Sequence, residues 1–151
     1  MKITKAKIDD IKEIAKIEIN SGYEFRKDAK LNEEYKRINE EFKTKEFFIV
    51  KNKNTKLVGY ISFKIKNREC KLDYLSVIKS FHGKGVGKKL MRFVENYAKK
   101  KNCRKIEFEV NNKNFRAIGL YNQLRYYVVS VKEKINYGKK VVKLKMEKEL
   151  A

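Results

Sequence analysis

The apolar positions of this chain change period several times, and each change predicts a new element. Residues 2–7 read as a short strand. Ile11, Ile14, Ala15 and Ile17 then recur at helical spacing, with Ile19 near the helix end and Asp9 or Asp10 placed to cap its start. A second helix fits 31–43, where Leu31, Tyr35, Ile38 and Phe42 share one face. From residue 46 the pattern is that of strands. Glu46–Lys51 and Leu57–Lys66 are joined by the turn-like Asn52-Lys53-Asn54-Thr55, and Cys70–Ile78 follows the turn Asn67-Arg68-Glu69. After a glycine-rich loop, Val86, Leu90, Phe93, Val94, Tyr97 and Ala98 mark a helix that ends near Lys100. Arg104–Val110 reads as a strand and Asn114–Leu124 as a helix. Tyr126–Lys134 and Lys140–Lys148 close the chain as a hairpin through Asn136-Tyr137-Gly138. The order β-α-α-β-β-β-α-β-α-β-β is a meander followed by a β-α-β unit. It predicts an α/β (mixed α+β) fold, with a central mixed sheet and helices on both faces.

Length and composition narrow the picture. The 151 residues suit one domain, 1–151, with no repeat, low-complexity stretch or linker. A content of 42% hydrophobic and 12% aromatic residues excludes a disordered basic tail. The longest apolar runs, Phe47–Val50 and Tyr126–Val129, are far short of the ~20 residues that span a bilayer. The opening MKITKAKIDD turns acidic at once and lacks the apolar core of a secretory signal. Cys70 and Cys103 form no motif, so reduced thiols in a cytoplasmic protein are expected. With two Cys and one His, a four-ligand Cys/His zinc site is out unless carboxylates complete it, and no metal centre is expected. The net charge of +20 is a strong field, attractive to nucleic acid, anionic membrane or a small polyanion. It is spread along the chain without a nucleic-acid-binding motif, so charge alone does not make the protein a nucleic-acid binder.

Gly83, Gly85 and Gly87 lie within five residues, between an apolar strand and an amphipathic helix. Backbone N–H groups at such a place, with the helix dipole behind them, can cradle phosphate oxygens. Lys84 and Lys88 add charge there. The string FHGKGVGKK is neither a Walker A loop nor G-x-G-x-x-G, since Lys88 stands where the last glycine should be. The plainer alternative is a glycine-rich turn that only starts a helix.

SVIKSFHGKGVGKKLMRFVENYAKKKNCRKIEFEVNNKNFRAIGLYNQLRYY resembles the GNAT superfamily of acyl-CoA-dependent N-acyltransferases. The family's pyrophosphate loop reads Arg/Gln-x-x-Gly-x-Gly/Ala. Gly85 and Gly87 match its glycines, and His82 stands where Arg or Gln is usual. The family's downstream Asn-x-x-Ala-x-x-x-Tyr is matched by Asn114, Ala117 and Tyr121. The Gly-Phe that follows in the family appears as Arg125-Tyr126, without its glycine. The resemblance implies acetyl-CoA as the cofactor. It would be held by His82, Gly83, Lys84, Gly85, Val86, Gly87 and Lys88, by backbone groups of Leu75 and Val77, and by Asn114 and Ala117.

Acyl transfer from a thioester to an amine needs a neutral amine, a polarised carbonyl, a protonated leaving thiolate and aligned substrates. Asn114, Ala117 and Tyr121 share a helix face by their spacing, and Ala117 is small enough to let a cofactor chain pass. The resemblance implies that Tyr121 is the general acid for the leaving sulfur; the alternative is a tyrosine packed in the core. In strand 104–110, Ile106, Phe108 and Val110 share one face while Glu107 and Glu109 share the other, which suggests a polar cleft or a solvated end. In the branch that acetylates protein N-termini, a glutamate twelve residues before the tyrosine is the base. Glu109 fits that spacing, and Asp73 on the preceding strand is the second candidate.

The stretch EVNNKNFRAIGLYNQL is similar to the ribosomal-protein alanine and protein N-terminal acetyltransferase branch, and so in part is the tail KINYGKKVVKLKMEKEL. This implies a protein N-terminal α-amine as acceptor and Tyr137 as a substrate contact; the +20 charge is compatible with association with the ribosome, and the short apolar runs lead to no membrane partner being expected. A simple hairpin role for Tyr137 is the alternative. An α-amine (pKa about 7.7–8.0) is appreciably neutral at pH 7, whereas a lysine (about 10.4) is not, so a modest base suffices. A small-molecule amine is the second acceptor class. A non-catalytic basic module holding RNA or ribosomes, favoured by His82 and Arg125, is the reading from another class.

Overall fold

The structure, a computed structural model, describes residues 1–21, 31–136 and 138–151. Its elements are β1 (Lys2–Lys5), α1 (Ile11–Ser21), α2 (Leu31–Glu41), β2 (Glu46–Lys51), β3 (Leu57–Lys66), β4 (Glu69–Val77), α3 (Val86–Lys100), β5 (Lys105–Asn111), α4 (Phe115–Gln123), β6 (Tyr127–Asn136) and β7 (Lys139–Glu149). One sheet of seven strands runs β1-β2-β3-β4-β5-β7-β6. Its β4–β5 neighbours are parallel and the other pairs antiparallel. No helix among the described residues is long and apolar enough to cross a membrane.

The alternation of side chains along each strand decides which helices it meets. Phe48 and Val50 join Ile61, Ile106, Phe108 and Met146 under α3 and α4, where Leu90, Met91, Val94 and Leu124 are buried. Phe47 and Ile49 face the other way, against Ile11, Ile14 and Ile38 of α1 and α2. β2 is therefore buried on both faces, and so it reads as a continuous apolar run. One charged group is taken into the α3–β7 contact. Glu95 accepts from the Tyr126 hydroxyl at 2.9 Å and from Lys148 Nζ at 3.0 Å.

Helices α3 and α4 end in the same way. Arg125 follows α4 with φ +70°, while Tyr126 N donates to Tyr121 O at 2.9 Å and Arg125 N to Asn122 O at 3.1 Å. This is the Schellman pairing, which needs a left-handed residue. Asn102 closes α3 likewise, with φ +60° and Cys103 N donating to Ala98 O at 3.0 Å.

Several boundaries differ from the sequence pattern. Leu31 is exposed instead of joining the apolar face of α2. That helix ends at Glu41, and Phe42 packs beyond it on Phe47, with ring centroids 5.4 Å apart. Asp10 does not sit at a cap position; its carboxylate reaches back to accept from Lys7 N at 2.8 Å. Asn114 is not inside α4 but is its N-cap.

The feature that positions the site lies at the middle of the sheet. β4 and β5 pair only at Glu69↔Lys105, Cys70↔Ile106 and Lys71↔Glu107. Just past this point β4 carries an extra residue. Phe63 pairs with Leu72 and Ser62 with Tyr74, which leaves Asp73 as a bulge. Bulges bend a strand and increase its twist. Beyond Asp73, β4 and β5 part.

Candidate active site

The opening between the parted strands is a cleft of about 1110 Å³, above the ~300–1,000 Å³ of ordinary small-ligand pockets. Leu75 and Val77 line it from β4, Phe108 and Glu109 from β5. Ile78 N donates to Val58 O, so by antiparallel alternation Leu75 and Val77 turn their backbone groups away from β3 and into the cleft. One of these groups is engaged by the chain itself: His82 Nε2 donates to Val77 O at 2.7 Å. A ring nitrogen of His82 thus fixes the end of β4.

Gly83 and Gly85 have φ of +74° and +82°, a region L-residues avoid, and Gly85 is the N-cap of α3. The first intrahelical bond runs from Lys89 N to Gly85 O at 3.0 Å. The N–H groups of Val86, Gly87 and Lys88 therefore have no intrahelical acceptor. Val86, Gly87 and Lys88 line the cleft, whereas the Lys84 ammonium lies over the Phe81 ring, 5.0 Å from its centroid. A Cβ on Gly87 would meet Leu120 Cδ2 at 3.2 Å, so α3 and α4 approach closely here. Free amides at a helix start, with no side chains standing over Gly83 and Gly85, fit a pyrophosphate.

Asn114, at the start of α4, lines the cleft together with Ala117 and Tyr121 of that helix. Asn114 Oδ1 accepts from Ala117 N at 3.2 Å, so its carbonyl oxygen is used as the helix cap. Tyr121 is buried, its ring 4.3 Å from that of Phe108 and 6.1 Å from that of Tyr126. Burial pushes its hydroxyl well above the ordinary tyrosine value, so the group is protonated throughout the neutral range.

Phe108 meets Tyr121, so Glu109, the next residue, projects to the opposite face of the sheet. There its carboxylate ion-pairs with Lys134 of β6. Partial burial raises its pKa, but the hydrogen bond and charge of Lys134, with Lys132 and Lys143 beyond, prevail and hold it below the usual carboxylate value. Asp73 also lines the cleft and pairs with Lys45 Nζ at 2.9 Å.

Other lining residues had no motif to announce them. Glu18 of α1 is buried and accepts from Ser76 Oγ at 2.6 Å. Its helical phase with Ile11 and Ile14, on an apolar face, is the signal that marks it. Lys134 and Lys143 enter the cleft from the hairpin, which no local spacing foretells. Tyr137 lies outside the described residues.

Residues 11–126 match the "Acetyltransferase (GNAT) family". An uncharacterised Bacillus subtilis protein, YdhI, is 29% identical over 84 residues, 56% of this chain and 51% of that protein. The chain thus spans about half the length of this curated relative. The ribosomal-protein-alanine N-acetyltransferase of Brucella melitensis superposes with a TM-score of 0.81 at 15% identity, covering 99% of this chain and 100% of that one. A chimeric spermidine N-acetyltransferase from Vibrio cholerae and hSSAT gives 0.79 at 18% identity, covering 99% and 96%. At these identities the likeness to the solved structures is one of fold.

Proposed function

We propose a reaction for this chain, which belongs to the acetyltransferase (GNAT) family: it takes an acetyl group from acetyl-CoA and passes it to the free α-amine of a protein N-terminus, by direct transfer in a ternary complex. The observation that carries this reading is the parting of β4 from β5. It opens one passage with unpartnered helix-start amides and Tyr121 on one face and carboxylates on the other. Two substrates can then meet head-on from opposite faces, and alignment of that kind can supply about 7–11 kcal/mol of the barrier.

The residues have distinct tasks. The amides of Val86, Gly87 and Lys88 hold the pyrophosphate, with the Lys88 ammonium beside it. The exposed N–H groups of Leu75 and Val77 hold the pantetheine arm as an added strand would be held. Ala117 leaves room for the arm, and Asn114 sets the start of the helix that carries Tyr121. As the amine nitrogen bonds the carbonyl carbon and the C–S bond breaks, Tyr121 gives its proton to the departing sulfur. The nitrogen, made acidic by the attack, gives its proton to Glu109, or to Asp73, directly or through water.

The paired state of Glu109 supports the choice of acceptor. A carboxylate held low by Lys134 is a weak base. It cannot readily strip a lysine ammonium, but it suffices for an α-amine that is already partly neutral at pH 7. The test is mass spectrometry of the protein with acetyl-CoA and three acceptor classes: lysine-free peptides with free N-termini, N-blocked peptides with one lysine, and small amines. Acetylation of the free N-termini is expected. Acetylation of blocked lysine peptides or of small amines alone would overturn the acceptor, and acetylation of nothing would overturn the reaction.

A further inference from the structure

The helices on the two faces of the sheet are unlike in charge. On the α1–α2 face, cations are matched by acids three or four residues away. Lys16 pairs with Glu13 at 3.2 Å, Arg37 with Glu34 and, at 2.7 Å, with Glu41, and Lys45 with Glu41 at 3.5 Å. Opposite charges at this spacing stabilise a helix. α3 departs from the pattern. Lys89, Arg92, Asn96, Lys99 and Lys100 are exposed, and their spacing makes one stripe along the outer side of the helix. The acid of α3, Glu95, is buried; it takes Tyr126 and Lys148 and meets Arg92 at 3.6 Å. Lys89 Nζ donates to Met1 O. Among the described residues, no carboxylate forms an ion pair with Lys89, Lys99 or Lys100.

Lys99 and Lys100 suit the helix dipole at the C-terminal end, but Lys89 stands in the first turn, where a cation is disfavoured. Lys89 and Arg92 are also neighbours on the helix surface and repel. The same lysine-rich chain builds paired helices on the other face, so composition does not account for the stripe. Nor does a lipid surface. Leu90, Met91, Val94 and Ala98, the apolar side of α3, are fully buried, whereas a helix lying in a lipid interface must present that side. What the stripe offers is charge along a line of about 17 Å, with the Asn96 amide near its middle. We propose that the outer face of α3 docks the backbone of double-helical RNA.

The shape agrees. A helix held flat on a sheet cannot sink into the major groove of B-DNA, which takes in a whole helix. It can lie across the wide, shallow minor groove of A-form RNA, which displays 2′-hydroxyl groups between its phosphates. Lys89 and Arg92 then meet one row of phosphates and Lys99 and Lys100 the other. Asn96, which can both donate and accept, meets a 2′-hydroxyl between them. Acids bound the face on two sides. Glu46 accepts from the Tyr97 hydroxyl at 3.0 Å and meets Lys5 at 3.9 Å. Past the end of α3, a second cleft of about 570 Å³ mixes Arg68 and Lys99 with Glu147 and Glu149.

The test is an anisotropy titration of a labelled RNA duplex of about 16 base pairs with the full chain. It contains no acetyl-CoA and no acceptor, so it reads the same whether or not the transfer reaction holds. Micromolar binding is expected near physiological salt. The plot of log affinity against log salt should have a slope of about −3 to −4, for four neutralised phosphates. Lys99→Gln/Lys100→Gln should weaken binding about tenfold and flatten the slope by about two. Lys12→Gln/Lys16→Gln, which removes the same charge from α1, should cost less than about twofold. Asn96→Ala should narrow the preference for RNA over a DNA duplex of the same sequence, and a melting curve shows that each variant is folded. Equal losses from the α1 and α3 pairs would assign binding to the net charge and overturn the proposal. Equal affinity for the RNA and DNA duplexes would overturn it, as would no binding of RNA. Binding of phosphatidylglycerol vesicles through Lys99 and Lys100, without binding of RNA, would assign the face to a lipid surface and overturn it too.

Discussion

Tyr121 sits among aromatic rings, and burial alone shifts its hydroxyl upward. A neutral hydroxyl in that setting is a proton donor over the whole neutral range. Tyr121→Phe is expected to lower kcat by about a hundredfold or more, the usual worth of a general acid, while the affinity for coenzyme A is retained; steady-state kinetics with calorimetric titration of coenzyme A checks both. Glu109 is perturbed in the opposite sense. Lys134 stabilises its ionised form, so its pKa lies below the ordinary value in the folded chain. Its contribution to stability is present above the unfolded value of about 4.3 and is lost as pH falls through the lower folded value. Lys134→Met removes the main stabilising partner, so the Glu109 pKa rises. Below the inflection set by the α-amine itself, the lower acid inflection of the kcat/KM profile should move to higher pH, and an unmoved one would show that Glu109 is not the base. Arg125 presents a third case at this scale. It holds the left-handed corner of the Schellman turn at φ +70°, where the related family motif has glycine. Arg125→Gly should therefore stabilise the fold by about 1 kcal/mol, a Tm rise of about 2–4 °C for a chain of this length.

The glycines at the start of α3 separate two kinds of constraint. Gly85 is fixed by backbone conformation, with φ +82° and no atom within 4 Å of where a Cβ would stand. Gly87 is limited by packing, its missing Cβ lying 3.2 Å from the flexible end of Leu120. Gly85→Ala is expected to cost about 1–2 kcal/mol and to weaken coenzyme A binding by tilting the helix-start amides. Gly87→Ala should cost less, because Leu120 Cδ2 can yield. Thermal melts and coenzyme A titrations of the two variants check the contrast. At this scale much was legible in the chain itself. Glu46–Lys51 and Leu57–Lys66 have the bounds that their apolar runs and the flanking turn residues indicate, since these signals are local. The loop, the spacing of Asn114, Ala117 and Tyr121, and the opposite faces of β5 were legible for the same reason. Leu31 is exposed although it shares the apolar face, because helical periodicity marks a face without saying whether anything covers it. The capping role of Asn114 hides behind its polar type, which suits a ligand as well as a helix start.

What the whole molecule adds is non-local. Pairing of β4 with β5 stops after Lys71↔Glu107, and the Asp73 bulge sits where the strands begin to part. No single segment encodes that opening; it arises where a parallel pair is bent away from its neighbour. The same holds for the hairpin, which brings Lys134 to Glu109 across 25 residues of sequence. The net charge of +20 is visible at once in the composition, but the pairing of Glu107 and Glu147 with Lys105 and Lys145 appears only when β5 and β7 are laid side by side. The proposed chemistry turns on one arrangement: a cleft where β4 and β5 part, with the buried Tyr121 on one face and the ion-paired Glu109 carboxylate on the other. The most direct test is a peptide that carries both a free α-amine and one internal lysine, incubated with acetyl-CoA and either the wild-type protein or Tyr121→Phe, with the modified nitrogen located by fragment mass spectrometry. Acetyl is expected on the α-nitrogen alone, formed at least about a hundredfold more slowly by the variant. Acetyl on the lysine would contradict the α-amine as acceptor, and an equal rate with the variant would contradict Tyr121 as the acid.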